Sequence, residues 1–543
     1  MKGVWSLIKQ TFSLFFWKIL PLILLIIAFL LIIQASSSIY ERYQYYQVIQ
    51  DRLPHYAETA TAISSEQDAV SFASNPYLIN QIFVTNTPAA DEMMPTEVPP
   101  PTAVPTIAEI EPTNIPEVPA EARTPVALPT LLLPPDVESV ELSGTAVPPR
   151  VPAVARNYDL VNIILIGGDD EVTKDNFVRT DTMILVSINL NTGTVNMMNL
   201  PRDLFVYIPS GTMQRLNTAY GIGENIGWSG GGFELLRQTI FYNFGINIHY
   251  FAKVDFSGFE SIINELGGVQ ISVDCDYQDY YPVDDIDPTR PLEENYYLRT
   301  LPVGYYLMDG FDALWYARTR RNSDDFDRGR RQQLLLRAIW DQVQSTSYLS
   351  LENLPNLWDQ VTQIVETNIT FDVALGLVPV ALNLDSSKID SFNVLRLYHT
   401  TPWQTPNGDY VQLPNPEQMT ELFYSFYQPP TESQLNLAGP SILIHNGTDK
   451  DNLDKVAEGR LSWEGLNATA AGVSDATDNH QTRIIDHVAA SKGSLIPDLT
   501  RILNVKLENI ITEPDPNREY DYEIILGDDY NSCTYNVLPV DEP

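Results

Sequence analysis

The apolar and polar positions divide the chain into stretches of different character. Residues 19–33 are apolar throughout except for Pro21, and 12–17 are mostly apolar, with Lys18 between. This predicts one transmembrane helix over 12–35, because roughly 20 apolar residues cross a hydrocarbon layer of ~30 Å. Lys2, Lys9 and Lys18 all lie on its N-terminal side. Residues 1–11 are therefore expected in the cytoplasm and the rest outside the cell membrane. A cleaved signal peptide is the competing reading, but Ile33 stands where cleavage after Ala35 wants a small residue. Residues 36–86 are polar and aromatic, a juxtamembrane segment with helix-compatible stretches. Between Pro88 and Pro152 fall 16 of the 39 prolines. Such a composition predicts a disordered linker over 87–156, reaching at most ~200 Å as an extended stalk.

Folded patterns begin near 157. The run 162–166 ends at Gly167-Gly168 and reads as a buried strand. Strands are expected over 182–190 and 194–200, joined by a turn at Asn191-Thr192-Gly193. Helical spacing follows over 233–244 and 256–266, with strands over 250–254 and 269–273. Further helices are expected over 309–318, 328–345, 371–384 and 416–427. Interleaved strands and helices give an α/β class over 157–430. A second, small α/β domain is expected over 441–533, opened by a strand at 441–445 and closed by one at 522–526.

Composition narrows the chemistry. The 543 residues carry a formal net charge of -37. So negative a chain repels nucleic acid, and an anion site must come from a local concentration of basic residues. The two cysteines, Cys275 and Cys533, form no C-x-x-C pair. They can form a disulfide in an oxidising compartment; two separate buried residues is the favoured reading. The six histidines show no zinc-ligand spacing.

That local concentration exists. Arg318, Arg320, Arg321, Arg328, Arg330 and Arg331 lie within fourteen residues. A planar, permanently charged guanidinium suits phosphate; the bland alternative is a solvated helix face paired with Asp324, Asp325 and Asp327. A second constellation lies at strand ends. Asp169 follows the first strand, Arg179-Thr180-Asp181 opens the next, and Pro201-Arg202-Asp203 follows the third. Strand ends are where α/β folds place ligand sites, and two Asp carboxylates can hold Mg²⁺.

The blocks N-I-I-L-I-G-G-D, R-T-D-T-M-I-L-V-S-I-N, L-P-R-D-L-F-V-Y-I-P, R-L-N-T-A-Y, V-D-F-S-G-F, L-G-G-V, L-M-D-G-F-D-A-L-W-Y-A-R-T-R and D-F-D-R-G-R-R-Q-Q occur in this order. Together they closely resemble the LytR-CpsA-Psr (LCP) family. The blocks I-L-I-H-N-G-T and I-I-L-G-D-D-Y resemble the LytR C-terminal domain. The resemblance implies a catalytic module with a central mixed β-sheet flanked by helices. It implies a membrane-anchored phosphotransferase that moves a glycopolymer from a polyprenyl-diphosphate carrier to an envelope acceptor, typically peptidoglycan. The implied diphosphate clamp is Arg179, Arg202, Arg318, Arg320 and Arg328, with Gln332 as a further contact. The implied Mg²⁺ ligands are Asp169 and Asp181, with Asp170 as an alternate for Asp169. Asp203 would orient Arg202 or assist proton transfer. Arg321, Arg330 and Arg331 fall to the solvated face.

An apolar cleft for the prenyl chain is sought among Phe233, Leu235, Leu236, Ile240, Phe241, Phe256, Phe259 and Ile262, although ordinary helix core is the favoured reading for about two-thirds of them. The sequence departs from the family pattern in the glycine-rich stretch 227–232, in Asp327 where Gly is common, and in the acidic, tyrosine-rich loop 274–294. The alternative functions are a non-catalytic envelope-binding protein and a regulator of transcription; the expected topology and the negative charge oppose DNA binding.

Overall fold

A computed structural model describes residues 128–134, 137, 141–156, 158–168, 179–283, 285–287, 289–345, 358, 361–384, 388–428, 440–474, 479–490, 493–533, 535 and 537–540. The expected anchor over 12–35 and the juxtamembrane segment over 36–86 lie outside the described residues. No helix among the described residues is long and apolar enough to cross a membrane.

Strands β1 (Leu160–Gly168) and β2 (Thr180–Asn189) are buried at every residue. Strands covered on both faces carry near-continuous apolar runs, so the core of β1 reads without alternation. Strand β3 (Thr194–Asn199) follows through a tight turn. There the Asn191 and Thr192 amides donate to Asn189 Oδ1 at 2.9 and 3.2 Å, and Gly193 takes φ +71°. Helix α1 (Gly231–Phe244) leads to β4 (Tyr250–Val254) and α2 (Phe256–Glu265). The pair β5 (Val269–Val273) and β6 (Gly304–Met308) precedes α3 (Gly310–Arg318) and the long α4 (Asp325–Ser345). Strand β7 (Glu366–Thr367), α5 (Phe371–Asn383), β8 (Ile389–Asn393) and α6 (Pro416–Phe426) complete the module.

The central sheet runs β7-β4-β1-β2-β3-β8. β1–β2, β2–β3 and β4–β7 pair antiparallel, while β1–β4 and β3–β8 pair parallel. The sheet is therefore mixed and flanked by helices, as expected. Helix α4 starts three residues earlier than the spacing predicts. The Asp324 carboxylate accepts the Asp327 amide at 2.9 Å and caps the first turn, which places Arg328 inside the helix. The module also gathers chain from before 157: the Val151 amide donates to Tyr242 O at 2.9 Å, and Arg237 donates to Pro129 O at 2.9 Å.

The C-terminal region is α/β as well. It comprises β9 (Ile442–Asn446), α7 (Leu453–Trp463), β10 (Ala468–Val473), β11 (Arg483–Asp486), α8 (Ile496–Leu503), β12 (Ile510–Thr512) and β13 (Tyr522–Leu526). Its sheet order is β10-β9-β13-β11-β12, over a core that includes Ile444, Val456, Leu461, Ile484, Leu499 and Ile524. The chain then returns to the first module. Cys533 forms a disulfide with Cys275, just beyond β5. This corrects the expectation of two separate cysteines. The tail after β13 runs back alongside residue 274, where Ser532 Oγ donates to Asp274 O at 2.7 Å.

Candidate active site

The site lies where the β2–β3 hairpin meets the first turns of α4. The hairpin register sets Ile184 opposite Asn199. Three residues further on, Asp181 comes opposite Arg202, and Arg202 Nη1 lies 3.1 Å from Asp181 Oδ2. Asp181 is buried, and its Oδ1 accepts the Asn217 amide at 3.0 Å. Burial acts to raise the Asp181 carboxyl, but Arg202, Arg328, Arg320 and the Asn217 hydrogen bond outweigh it and hold it below the usual carboxylate range.

Helix α4 supplies the opposite wall. Asp325, Arg328 and Gln332 recur at helical spacing, so they share one face. Arg328 Nη2 donates to Asp181 O at 3.1 Å, and Gln332 Nε2 donates to Thr182 Oγ1 at 3.1 Å. Asp325 Oδ1 gathers three arginines: Arg328 Nη2 at 2.7 Å, Arg320 Nη1 at 3.4 Å and Arg202 Nε at 3.7 Å. Burial opposes ionisation of Asp325, yet these three guanidiniums hold it below the usual range. Arg328 is pulled down to about 10 by burial and by Arg320 and Arg202, against the pull of Asp325, and stays charged at neutral pH. Its Nε is a buried donor without a hydrogen-bond partner among the described residues. Asp203 lies 3.6 Å from Arg202 Nε and 3.4 Å from Arg215 Nε, so it helps orient Arg202.

Asp181, Arg202, Asp203, Arg320, Arg328 and Gln332 are thus brought together. Arg179 is exposed, two residues before Asp181 at the mouth of β2. Arg318, the last residue of α3, lies with its guanidinium 4.3 Å over the Phe256 ring. Asp169 and its alternate Asp170 lie outside the described residues. Among the described residues, no three His, Cys, Asp or Glu side chains are grouped to hold a metal. Asn217 Oδ1, beside Asp181, is a buried acceptor without a hydrogen-bond partner among them. That free oxygen next to a carboxylate fits the all-oxygen donor set of a hard cation such as Mg²⁺.

Two of the three arginines expected on a solvated face are buried instead. Arg330 is 3 % exposed and Arg331 fully buried. Arg330 donates two hydrogen bonds to Asp274, at 2.7 and 3.1 Å, and Arg331 Nε donates to Asp327 at 2.9 Å. Arg331 also donates to Tyr316 O and Thr319 O, carbonyls at the end of α3. Buried charges persist only when paired. Asp327 pairs with both, which gives a physical reason for an acid beside Arg328. Arg321 is exposed, as expected, with Tyr280 beneath it. All but one of the expected prenyl-cleft residues are buried in the core, and Phe256 is half-buried.

Sequence reasoning did not single out Asp325 or Asn217 as site residues. Asp325 had a signal, its position one helical turn before Arg328. Asn217 stands in the R-L-N-T-A-Y block, but that block does not show its approach to Asp181, which is a tertiary contact.

Arginines converge on the buried Asp181 and the half-buried Asp325 at the end of an α/β sheet, a set of residue types that suits a multiply charged anion. The chain belongs to the LytR_cpsA_psr family, which matches residues 138–426. Similar proteins include the Bacillus subtilis polyisoprenyl-teichoic acid–peptidoglycan teichoic acid transferases TagV and TagT, both 29% identical. The matches cover 43% of this chain and 56% of TagV, and 42% of this chain and 66% of TagT. The regulatory protein MsrR of Staphylococcus aureus is 30% identical over 39% of this chain and 58% of its own length. The chain thus spans somewhat over half the length of these relatives. Among solved structures, Bacillus subtilis TagV is 25% identical, with a TM-score of 0.39 over 50% of this chain and 100% of that one. TagT bound to LIIa-WTA is 24% identical, with a TM-score of 0.37 over 50% of this chain and 92% of that one.

Proposed function

We propose that this protein is a membrane-anchored, extracytoplasmic phosphotransferase. It moves a glycopolymer from a polyprenyl-diphosphate carrier to a hydroxyl of a cell-envelope acceptor such as peptidoglycan. The observation that carries this reading is the convergence of Arg202, Arg320 and Arg328 on Asp325 beside Asp181.

A diphosphate brings several negative charges, and these guanidiniums are already held by the fold, so little ordering remains when it binds. The acceptor oxygen attacks the phosphorus attached to the sugar, and the bond from that phosphorus to the bridging oxygen breaks. Polyprenyl phosphate leaves with the electron pair of that bond, and the hydroxyl proton passes to the leaving phosphate or to water. Arg328 and Arg202 face the charge that grows on the leaving phosphate, where fixed, buried donors act most strongly. Gln332 and Asp203 hold their neighbours in place. Arg179 and Arg318 would complete the clamp around a bound diphosphate. A Mg²⁺ held by Asp169 and Asp181 would neutralise further charge on the diphosphate. The membrane anchor expected over 12–35 would keep the enzyme within reach of a substrate that is itself a lipid.

The test is transfer by the purified full chain from a polyprenyl-diphosphate glycan to a peptidoglycan acceptor. Arg202→Ala and Arg328→Ala are expected to abolish transfer in folded protein. Sugar phosphate released to water equally with and without acceptor would show a diphosphatase instead. Unchanged transfer by both variants would refute the assignment of the site.

A further inference from the structure

We infer that the C-terminal tail, through Ser532, Cys533, Tyr535 and Leu538, is a positioning element of the phosphate site, with Tyr535 as the residue that acts on it. The inference rests on the function proposed above.

The tail touches two of the three segments that carry the converging arginines, the loop before α4 with Arg320 and α4 with Arg328; the segment of Arg202 is the third. In the loop before α4, Asn322 Nδ2 donates to Leu538 O at 2.9 Å, and the Leu538 amide donates back to Asn322 O at 2.7 Å. Arg320 lies two residues before Asn322 and Asp325 three after it. On α4, the Tyr535 ring lies 3.6 Å from the centre of the Arg330 guanidinium. Arg330 binds Asp327 at 2.8 Å, and Asp327 immediately precedes Arg328. Arg330 also binds Asp274, whose carbonyl accepts Ser532 Oγ and whose neighbour Cys275 is bonded to Cys533. Arg460, on α7 of the C-terminal region, lies 4.7 Å from the same Tyr535 ring.

Two features make this more than incidental packing. An aromatic face desolvates a guanidinium without competing for its hydrogen bonds. Arg330 therefore keeps its donors for Asp327 on its own helix and for Asp274 and Tyr277 beyond it, and the last two tie the turn of α4 that carries Arg328 to the segment after β5. Further, the Tyr535 hydroxyl is buried without a hydrogen-bond partner among the described residues. The ring, not the hydroxyl, is what the site uses. The C-terminal region thus takes part in the reaction through geometry although it lies outside the family match at 138–426.

The experiment compares the full-length protein with Tyr535→Phe and Tyr535→Ala. Three readouts are taken: donor kinetics, hydrogen exchange over 319–330, and affinity for inorganic pyrophosphate. Tyr535→Phe is expected to match the parent in all three. Tyr535→Ala is expected to lose about tenfold in kcat and to bind pyrophosphate more weakly, because arginines that meet the diphosphate in both the ground and the transition state are misaligned. Faster exchange over 319–330 should accompany the loss. If Tyr535→Ala fails to fold, Tyr535→Leu, which keeps the bulk and removes the aromatic face, takes its place with the same expectations. Unchanged exchange overturns the inference whatever the activity. Faster exchange with unchanged kcat also overturns it, since the contact is then only structural. If the parent transfers no donor, the proposed function fails on its own. The inference is then decided by pyrophosphate affinity, which must fall in Tyr535→Ala and hold in Tyr535→Phe.

Discussion

Asp181 and Arg202 face one another across the open end of the β2–β3 hairpin, 3.1 Å apart. Their meeting follows from the turn. Residues 190–193 close the hairpin, with Asn189 opposite Thr194, and antiparallel pairing then fixes every later partner out to Ile184 and Asn199. A single residue inserted into either strand would break the ion pair and turn the side chains beyond it to the other face.

Removing one partner of this buried pair should be costly. Arg202→Ala is expected to destabilise the fold by about 3 kcal/mol, because it strands a buried carboxylate. The double variant Arg202→Met, Asp181→Asn should recover most of that loss, while transfer stays abolished in both. Urea unfolding and the transfer assay separate the two effects.

Asp325 holds three arginines that a phosphate would otherwise bind. Asp325→Asn leaves like charges crowded together and should lower the melting temperature by several degrees, about 2 kcal/mol of stability. Inorganic pyrophosphate should raise the melting temperature of Asp325→Asn more than that of the parent. An equal rise in both proteins would show that pyrophosphate binds elsewhere.

Stability should fall with acid well before the carboxylates titrate. Burial, with help from Arg156 and Arg237, pulls His249 down to about 3, and burial pulls His399 down to about 4. Each uses a neutral Nδ1 to accept a backbone amide, from Asn162 at 2.9 Å and Leu395 at 2.7 Å. The unfolded chain binds these protons near pH ~6.5 and the folded chain does not. The full contribution is therefore present above ~6.5 and is lost as the pH falls toward 4, at up to ~1.4 kcal/mol per pH unit for each histidine. Urea midpoints between pH 7.5 and 4.5 measure this slope, and His399→Gln should make it shallower.

The disulfide closes a loop between residues 258 apart in sequence. Cys533→Ser is expected to cost about 2–5 kcal/mol. Reduction of the parent should bring its melting temperature down to that of the variant. A variant as stable as the parent would show that the tail is held by its hydrogen bonds alone.

The α/β class, most strand positions and the six candidate residues that the fold brings together were legible in the sequence. Strands β1 to β3 announce themselves as apolar runs ended by glycine or by a turn, and Arg328 and Gln332 share a helix face by spacing alone. The boundary of α4 was missed because its cap, Asp324, looks like any other acid in an acidic loop. Arg330 and Arg331 were misplaced for a related reason. A guanidinium is read as exposed unless its partners are known, and Asp274 and the Thr319 carbonyl lie far from them in sequence or on another element.

Local pattern by itself thus determined what each segment is: a two-sided buried strand, a helix, a cluster of arginines suited to phosphate. The tertiary structure alone decided which charges meet. Whether an arginine grips a substrate or braces a helix depends on the carboxylates and carbonyls folded against it. Burial makes that choice binding, because a charge taken out of water must find its partner within a few ångströms.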